Sequence, residues 1–230
     1  IHALAEDIRM GEAEAVAHAL NAAGTQDSVA PIGPDELLET LIPHARAMAQ
    51  AARHGDSHTA LGLLAAQQVL CAHREGPYGV RTWNQAIAAR IHPGGEDWFA
   101  GQPVLVTRND HALRLFNGDH GVVVNRDGRF VVAFDHGEGV REIPLSRLSD
   151  IVPAYAITIH RAQGSQFDTV YVVLPPQDSP LLTRELFYTA VTRASQRVRV
   201  IAAPGSVEAA ITRHVNRASG LAQRLSHGEG

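Results

Sequence analysis

The chain has 230 residues, 45% of them apolar and 5% aromatic, enough for one large or two modest domains of an ordinary soluble globular kind with a real core. It carries 24 acidic and 20 basic side chains, and every basic one is Arg; the lack of Lys excludes a G-x-x-x-x-G-K-[ST] phosphate loop and Lys-based catalysis within these residues. The single cysteine, Cys71, excludes an internal disulfide and a cysteine-cluster zinc site and fits a reducing cytoplasm, while no apolar run approaches the roughly 18 residues that span a bilayer.

The chain opens mid-pattern at "IHALAEDIRM", without an initiator Met, as a fragment of something longer would. Residues 1–21 read as two short helices, with Ile1, Leu4, Ala5 and Ile8 on one stripe. "AAGTQDSVAPIGP" reads as a loop from its Gly, Pro and small polar residues. "DELLETLI" and "PHARAMAQAARHG" follow as helices separated at Pro43, which suits a first helical turn better than an interior. Next come a helix over "HTALGLLAAQ" and a short strand around "QVLCA". Residues 101–150 change texture. "GQPVLVTRN", "HGVVVNR", "RFVVAFD" and "GVREIPL" alternate as strands, with turn signals at "NGD", "RDG" and "DHGEG". Four strands at about ten-residue spacing suggest a small barrel or sandwich. From 152 the rhythm is strand, loop, strand (170–174), helix (181–195), strand (197–202) and helix (206–217), that of a parallel α/β sheet with helices on its faces.

Three stretches can carry chemistry. "YAITIHRAQGSQF" places Thr158, His160, Gln163, Gly164 and Gln166 between two apolar strands, where ligands of open α/β sheets sit. Thr158 and His160 can donate to phosphate oxygens; the same side chains can equally cap local backbone in a polar turn. "RELFYTAVTRASQ" is an apolar helical stripe ending near Arg193. That Arg is either a surface cation serving the helix end or a finger on a transferring phosphoryl group. In "CAHREGPYGVRTWN", Arg74 follows a strand, Asn84 opens a helix, and Trp83 reads as core before base-stacking platform. The 13 histidines are spread along the chain with no convincing metal spacing, and no Ser-His-Asp or Cys-His order is legible. Charge is graded: residues 1–60 hold nine acids against three Arg, residues 151–230 five acids against eight Arg, which favours the later part for an anionic partner.

In this order the stretches resemble the later half of the RecD family, 5′-to-3′ DNA helicases of superfamily 1. "LCAHREGPYGVRTWN" is similar to that family's fourth motif, "PVLVTRNDHALRLFNGDHGVV" to the entry of its inserted SH3-like barrel, "YAITIHRAQGSQFD" to the fifth motif and "ELFYTAVTRASQRV" to the sixth. Residues 69–200 are covered almost continuously.

The resemblance implies an α/β fold. Residues 61–100 and 151–230 would form the second RecA-like motor domain, residues 101–150 an inserted SH3-like β-barrel, and residues 1–60 a helical lead-in from the first motor domain. It implies Arg193 as an arginine finger on the γ-phosphate, with Arg74 as a second. Gln163, Gly164 and Gln166 would face the nucleotide; Thr158, His160, Asn84 and Asn117 would contact single-stranded DNA. At 166 the family usually has Glu, for the ribose; Gln can hydrogen-bond the same hydroxyl without the charge. ATP with Mg2+ would be the cofactor, with the metal's ligands and the phosphate loop in the first motor domain, and RecB and RecC the partner subunits. This chain alone would then be inactive. The alternative is a non-enzymatic nucleic-acid or partner-binding module.

Overall fold

The computed structural model describes residues 1–22, 28–137 and 139–214. Five parallel strands form one sheet in the order β1-β10-β9-β2-β8: β1 (Val29–Pro31), β2 (Gln67–Cys71), β8 (Ala156–Thr158), β9 (Phe167–Val173) and β10 (Ala194–Ile201). Such strands are covered on both faces and read as apolar runs rather than alternations. Val69, Leu70, Val172 and Val173 are accordingly fully buried. Helices α1 (His2–Met10), α2 (Ala13–Ala22), α6 (Arg184–Val191) and α7 (Ser206–Thr212) close one face with Leu70, Val170 and Val172. Helices α3 (Pro34–Arg53), α4 (Ser57–Ala66) and α5 (Val80–Ile91) close the other with Val69, Tyr171 and Val173. The helix expected over 206–217 spans Ser206–Thr212, and residues 215–217 lie outside those described.

The described part of residues 1–60, expected as a helical lead-in, packs onto this sheet. The expected stripe of α1 is present, with Leu4, Ala5 and Ile8 buried, and it packs into the same core as Phe187 of α6. The stretch read as a loop contains β1, paired with β10 at Val29↔Val198 and closed by the Val198 N–H donating to Ser28 C=O at 2.7 Å. A three-residue strand between Gly and Pro has no periodicity of its own; its partner defines it. Pro43 does not divide α3 either. An interior Pro costs about 3 kcal/mol, but one unbroken buried face (Leu37, Leu41, Ile42, Ala45, Met48, Ala49, Ala52) spans both sides of it and offsets that loss.

Between α5 and β8 the chain builds a second, antiparallel sheet in the order β6-β5-β4-β3-β7: β3 (Pro103–Val106), β4 (His120–Arg126), β5 (Arg129–Asp135), β6 (Val140–Pro144) and β7 (Ile151–Pro153). The four expected strands are present. The strand read from 152 as part of the parallel sheet is split: Ile151–Pro153 pairs with β3, and after Ala154 and Tyr155 the chain enters the parallel sheet as β8. Asp127 and Gly128 close the β4–β5 hairpin, both with positive φ (50° and 80°), which is the type I′ geometry that matches strand twist. Where the antiparallel sheet meets α3, Gly101 (φ 90°) lies so close that any Cβ would overlap the Ala49 backbone. Tyr155 locks this junction from the other side, its hydroxyl donating to Gly101 C=O at 3.2 Å.

Candidate nucleotide and nucleic-acid site

The loop 159–166 leaves the carboxyl end of β8 and rejoins the sheet at the amino end of β9. At its upper end the Ile159 N–H donates to Cys71 C=O (2.9 Å), beside the Cys71↔Thr158 pair. At its lower end the Phe167 N–H donates to Arg193 C=O (2.9 Å). Eight residues therefore travel the height of the sheet. Since β9 has seven residues, that height is about 20 Å at 3.3 Å per residue. Thr158 C=O accepts from the N–H groups of Arg161 (2.9 Å) and Ala162 (3.2 Å), winding the loop into helix-like turns that bury Ile159 and Ala162. Of the other positions, His160, Gln163, Gly164 and Gln166 are exposed, and Arg161 and Ser165 are partly buried. Gly164 sits at φ 90° with open space where a Cβ would be, so it serves the turn and leaves the backbone approachable.

Helix α6 runs beside this loop. Thr183 caps it, accepting from the Leu186 N–H (3.3 Å), and Leu186, Phe187, Ala190 and Val191 bury its inner face. Arg193 follows its last turn, partly buried. Its Nε donates to Thr189 C=O (3.2 Å), Nη1 to Ser165 C=O (3.3 Å) and Nη2 to Thr192 Oγ1 (3.3 Å). The first bond satisfies a carbonyl left over at the helix end, where a cation is favoured. The second ties α6 to the loop, so Arg193 and the segment 163–166 share the lower edge of the sheet. A cleft of about 790 Å³ opens between loop and helix, lined by His160, Gln163, Thr183, Thr189, Arg213 and His214.

The upper edge holds a different group. Thr158 and Arg161 line a cavity of about 400 Å³ with Arg74, Arg81, Asn84 and Leu105. Arg74 stands three residues beyond the end of β2, at the carboxyl edge, whereas Arg193 stands just before β10, at the amino edge. The two Arg expected as fingers thus start from opposite edges of the parallel sheet. Asn84 is also placed differently. It lies in the second turn of α5 and is buried; its Nδ2 donates to Val80 C=O (3.0 Å) and Ala156 C=O (2.9 Å), and its Oδ1 accepts from the Ala156 N–H (3.1 Å). The carboxamide thus completes the unpaired edge of β8, the outermost strand. This corrects the expected DNA contact: the side chain holds the edge strand and is not offered to a ligand. Asn117 is exposed in the β3–β4 loop, where its N–H donates to Asn109 Oδ1 (2.8 Å) and its carboxamide faces the Val106 and Thr107 carbonyls. Trp83 is core, as expected. Arg161 was not singled out from the sequence, although it adjoins His160 and follows a strand end. Burial first, and then the neighbouring Arg74, hold its pKa below the ordinary Arg range.

Two buried groups are inert rather than reactive. Burial pushes the Cys71 thiol well up, so the thiolate does not form. His120, at the start of β4, packs its ring 5.8 Å from Phe167 with neither ring nitrogen hydrogen-bonded, and burial, opposed in part by Asp119, lowers its pKa from 6.5 to about 4. In the unfolded chain this His takes a proton below pH 6.5, while in the folded chain it stays neutral until about pH 4. The unfolded state therefore binds more protons in that window, and stability falls as pH drops through it, by up to about 3 kcal/mol. His120→Leu is expected to flatten that part of the stability–pH curve. An unchanged slope in the variant would assign the acid sensitivity elsewhere. No group of three or more His, Cys, Asp or Glu is placed to hold a metal ion among the described residues. No described helix is long and apolar enough to cross a membrane.

The profile of the UvrD-like helicase C-terminal domain matches residues 153–201, the segment that contains β8, the loop, β9, α6 and β10. The chain therefore has a helicase-type α/β fold. More specifically, it belongs to the RecD family. It is 47% identical over 232 residues to the RecBCD enzyme subunit RecD of Mycolicibacterium smegmatis, covering 98% of this chain and 41% of that protein. To the subunit of the same name from Mycobacterium tuberculosis it is 42% identical over 234 residues, with 98% and 40% covered. It is 40% identical over 146 residues to the ATP-dependent RecD2 DNA helicase of Deinococcus radiodurans, covering 60% of this chain and 20% of that one. The chain thus spans about two fifths of the length of the two mycobacterial relatives. Among solved structures, Pif1 helicase from Bacteroides in complex with ADP-AlF3 and ssDNA aligns over 72% of this chain and 50% of its own, at 16% identity and a TM-score of 0.41.

Proposed function

We propose that this chain is the second motor domain, with its insertion, of an ATP-dependent 5′-to-3′ DNA helicase that acts with RecB and RecC in cytoplasmic double-strand break repair and recombination. Residues 61–100 and the described residues from Ala154 onward form that motor domain, with β1 and α1–α3 packed into it; the antiparallel sheet, β3 to β7, is the SH3-like barrel. The observation that carries this reading is the course of loop 159–166, which joins Thr158 at one edge of the sheet to Arg193 at the other.

Arg193 serves as the arginine finger, reaching the γ-phosphate of an ATP held by the first motor domain. Its present bonds are long, 3.2–3.3 Å, and to neutral oxygens. A charged phosphate oxygen is the better acceptor. Gln163, Gly164 and Gln166 face the same nucleotide, whose outline the exposed, Cβ-free turn at Gly164 accommodates. ATP, with a Mg2+ liganded by the first motor domain, supplies the energy of γ-phosphate transfer to water. Thr158 and His160 touch the single strand at the upper edge. Closing and opening of the cleft at the lower edge would move the loop as a strut and so shift the DNA contacts.

The test is strand displacement by the full-length protein. Unwinding of duplexes with a 5′ single-stranded tail, none with a 3′ tail, and no ATP turnover by the isolated chain are expected. DNA binding without unwinding from either end would make the chain part of a binding module instead.

A further inference from the structure

Three guanidinium groups line the 400 Å³ cavity at the upper edge, and two of them, Arg74 and Arg161, have no counter-charge among the described residues. Arg74 and Arg161 each follow a strand end, β2 and β8, and Arg161 is partly buried. Neither side chain makes a hydrogen bond or ion pair with the described residues. The one carboxylate in the lining, Glu75, is already paired with Arg81 at 3.3 Å. The field of Arg74 reaches Arg161, whose charged form burial already disfavours. Arg74 is exposed, so water screens part of this repulsion, and an anion between the two groups would relieve the rest. Thr158 opens onto the same cavity, 9% exposed, with no protein partner for its hydroxyl among the described residues. Beside Asn84 and Gln85, one side of the wall is apolar, with Leu105, Val152, Pro153 and Ile157.

We propose that Arg74 and Arg161 form a two-armed clamp for a single backbone phosphate of single-stranded nucleic acid, with the Thr158 hydroxyl as third donor and the Leu105–Pro153 wall against the adjoining sugar. The clamp rests on the DNA-binding reading above and adds to it: Arg74 is a binding residue, and Arg161 joins the site. A phosphate is equally a part of a free nucleotide. The position favours the polynucleotide, because both arms stand at the carboxyl edge of the sheet, on the Thr158 side of the loop, while Arg193 stands at the amino edge.

The test is equilibrium anisotropy of labelled oligo(dT) with the full-length protein, over a salt series from ~50 to ~200 mM, for wild type, Arg74→Gln, Arg161→Gln and the double variant. Each single variant is expected to bind about tenfold more weakly. Each should also flatten the plot of log affinity against log salt by about 0.7, one phosphate's worth for a single strand. The double variant should lose little more than either single one, because both arms hold one phosphate. Arg161→Lys should keep the slope but not the full affinity, since Lys is a point charge without the fork. Unchanged slopes in both singles overturn the clamp, as do losses that multiply in the double variant. Intact oligo(dT) binding with weakened binding of a fluorescent ADP analogue, measured without DNA, would assign the pair to the nucleotide instead. Failure of the wild type itself to bind oligo(dT) would remove the DNA reading along with the clamp.

Discussion

Arg193→Ala is expected to lower the single-stranded-DNA-stimulated ATPase of the full-length protein by on the order of 10³-fold in turnover, as loss of an arginine finger does. DNA affinity should hold, because Arg193 stands at the amino edge of the sheet while Thr158 stands at the carboxyl edge. Arg193→Lys separates the finger from a strap. Lys keeps a charge near the phosphate but loses the three-point tie to Thr189, Ser165 and Thr192, so a strap would fail in both variants alike. Turnover within a few-fold of wild type for Arg193→Ala would reduce Arg193 to a structural link between α6 and the loop. The binding-module reading would then lead.

Phe187→Ala is expected to cost about 3–5 kcal/mol of stability, the usual result of emptying a fully enclosed aromatic site. Phe187 is 0% exposed and packs in the core that α1, α6 and α7 share with the sheet face of Leu70, Val170 and Val172. The cavity would lie directly under α6, the helix that delivers Arg193. In the full-length protein the variant should therefore show an earlier unfolding transition in urea, and a turnover that falls more than the Michaelis constant for ATP rises. A stability loss under about 1 kcal/mol would mean that α6 closes onto the vacated space, contrary to the rigid packing around it.

Much of the site was legible because its residues are contiguous. The loop 159–166 and the end of α6 each bring their outward residues with them, so Gln163, Gly164, Gln166 and Arg193 could be named from two short stretches. Asn84 and Arg74 could not be placed in that way. Asn84 is committed to Ala156, 72 residues further on, and a sequence does not show which strand edge a carboxamide will meet. Arg161 lay in the right stretch, but its significance depends on Arg74, brought beside it only by the β2–β8 pairing.

By itself the sequence determined what local chemistry can dictate. The absence of Lys excludes a phosphate loop within these residues, the apolar runs of β2 and β9 require a sheet buried on both faces, and Asp127-Gly128 sets a hairpin turn. Only the tertiary structure decided the rest. It drew β1 into the sheet, carried α3 through Pro43, switched the chain between sheets at Ala154 and Tyr155, and placed Arg74 and Arg193 at opposite edges. Each of these depends on a partner distant in sequence. Hydrogen bonds to a neighbouring strand and burial against a remote helix outweigh the weak local preferences of a three-residue strand or a single proline.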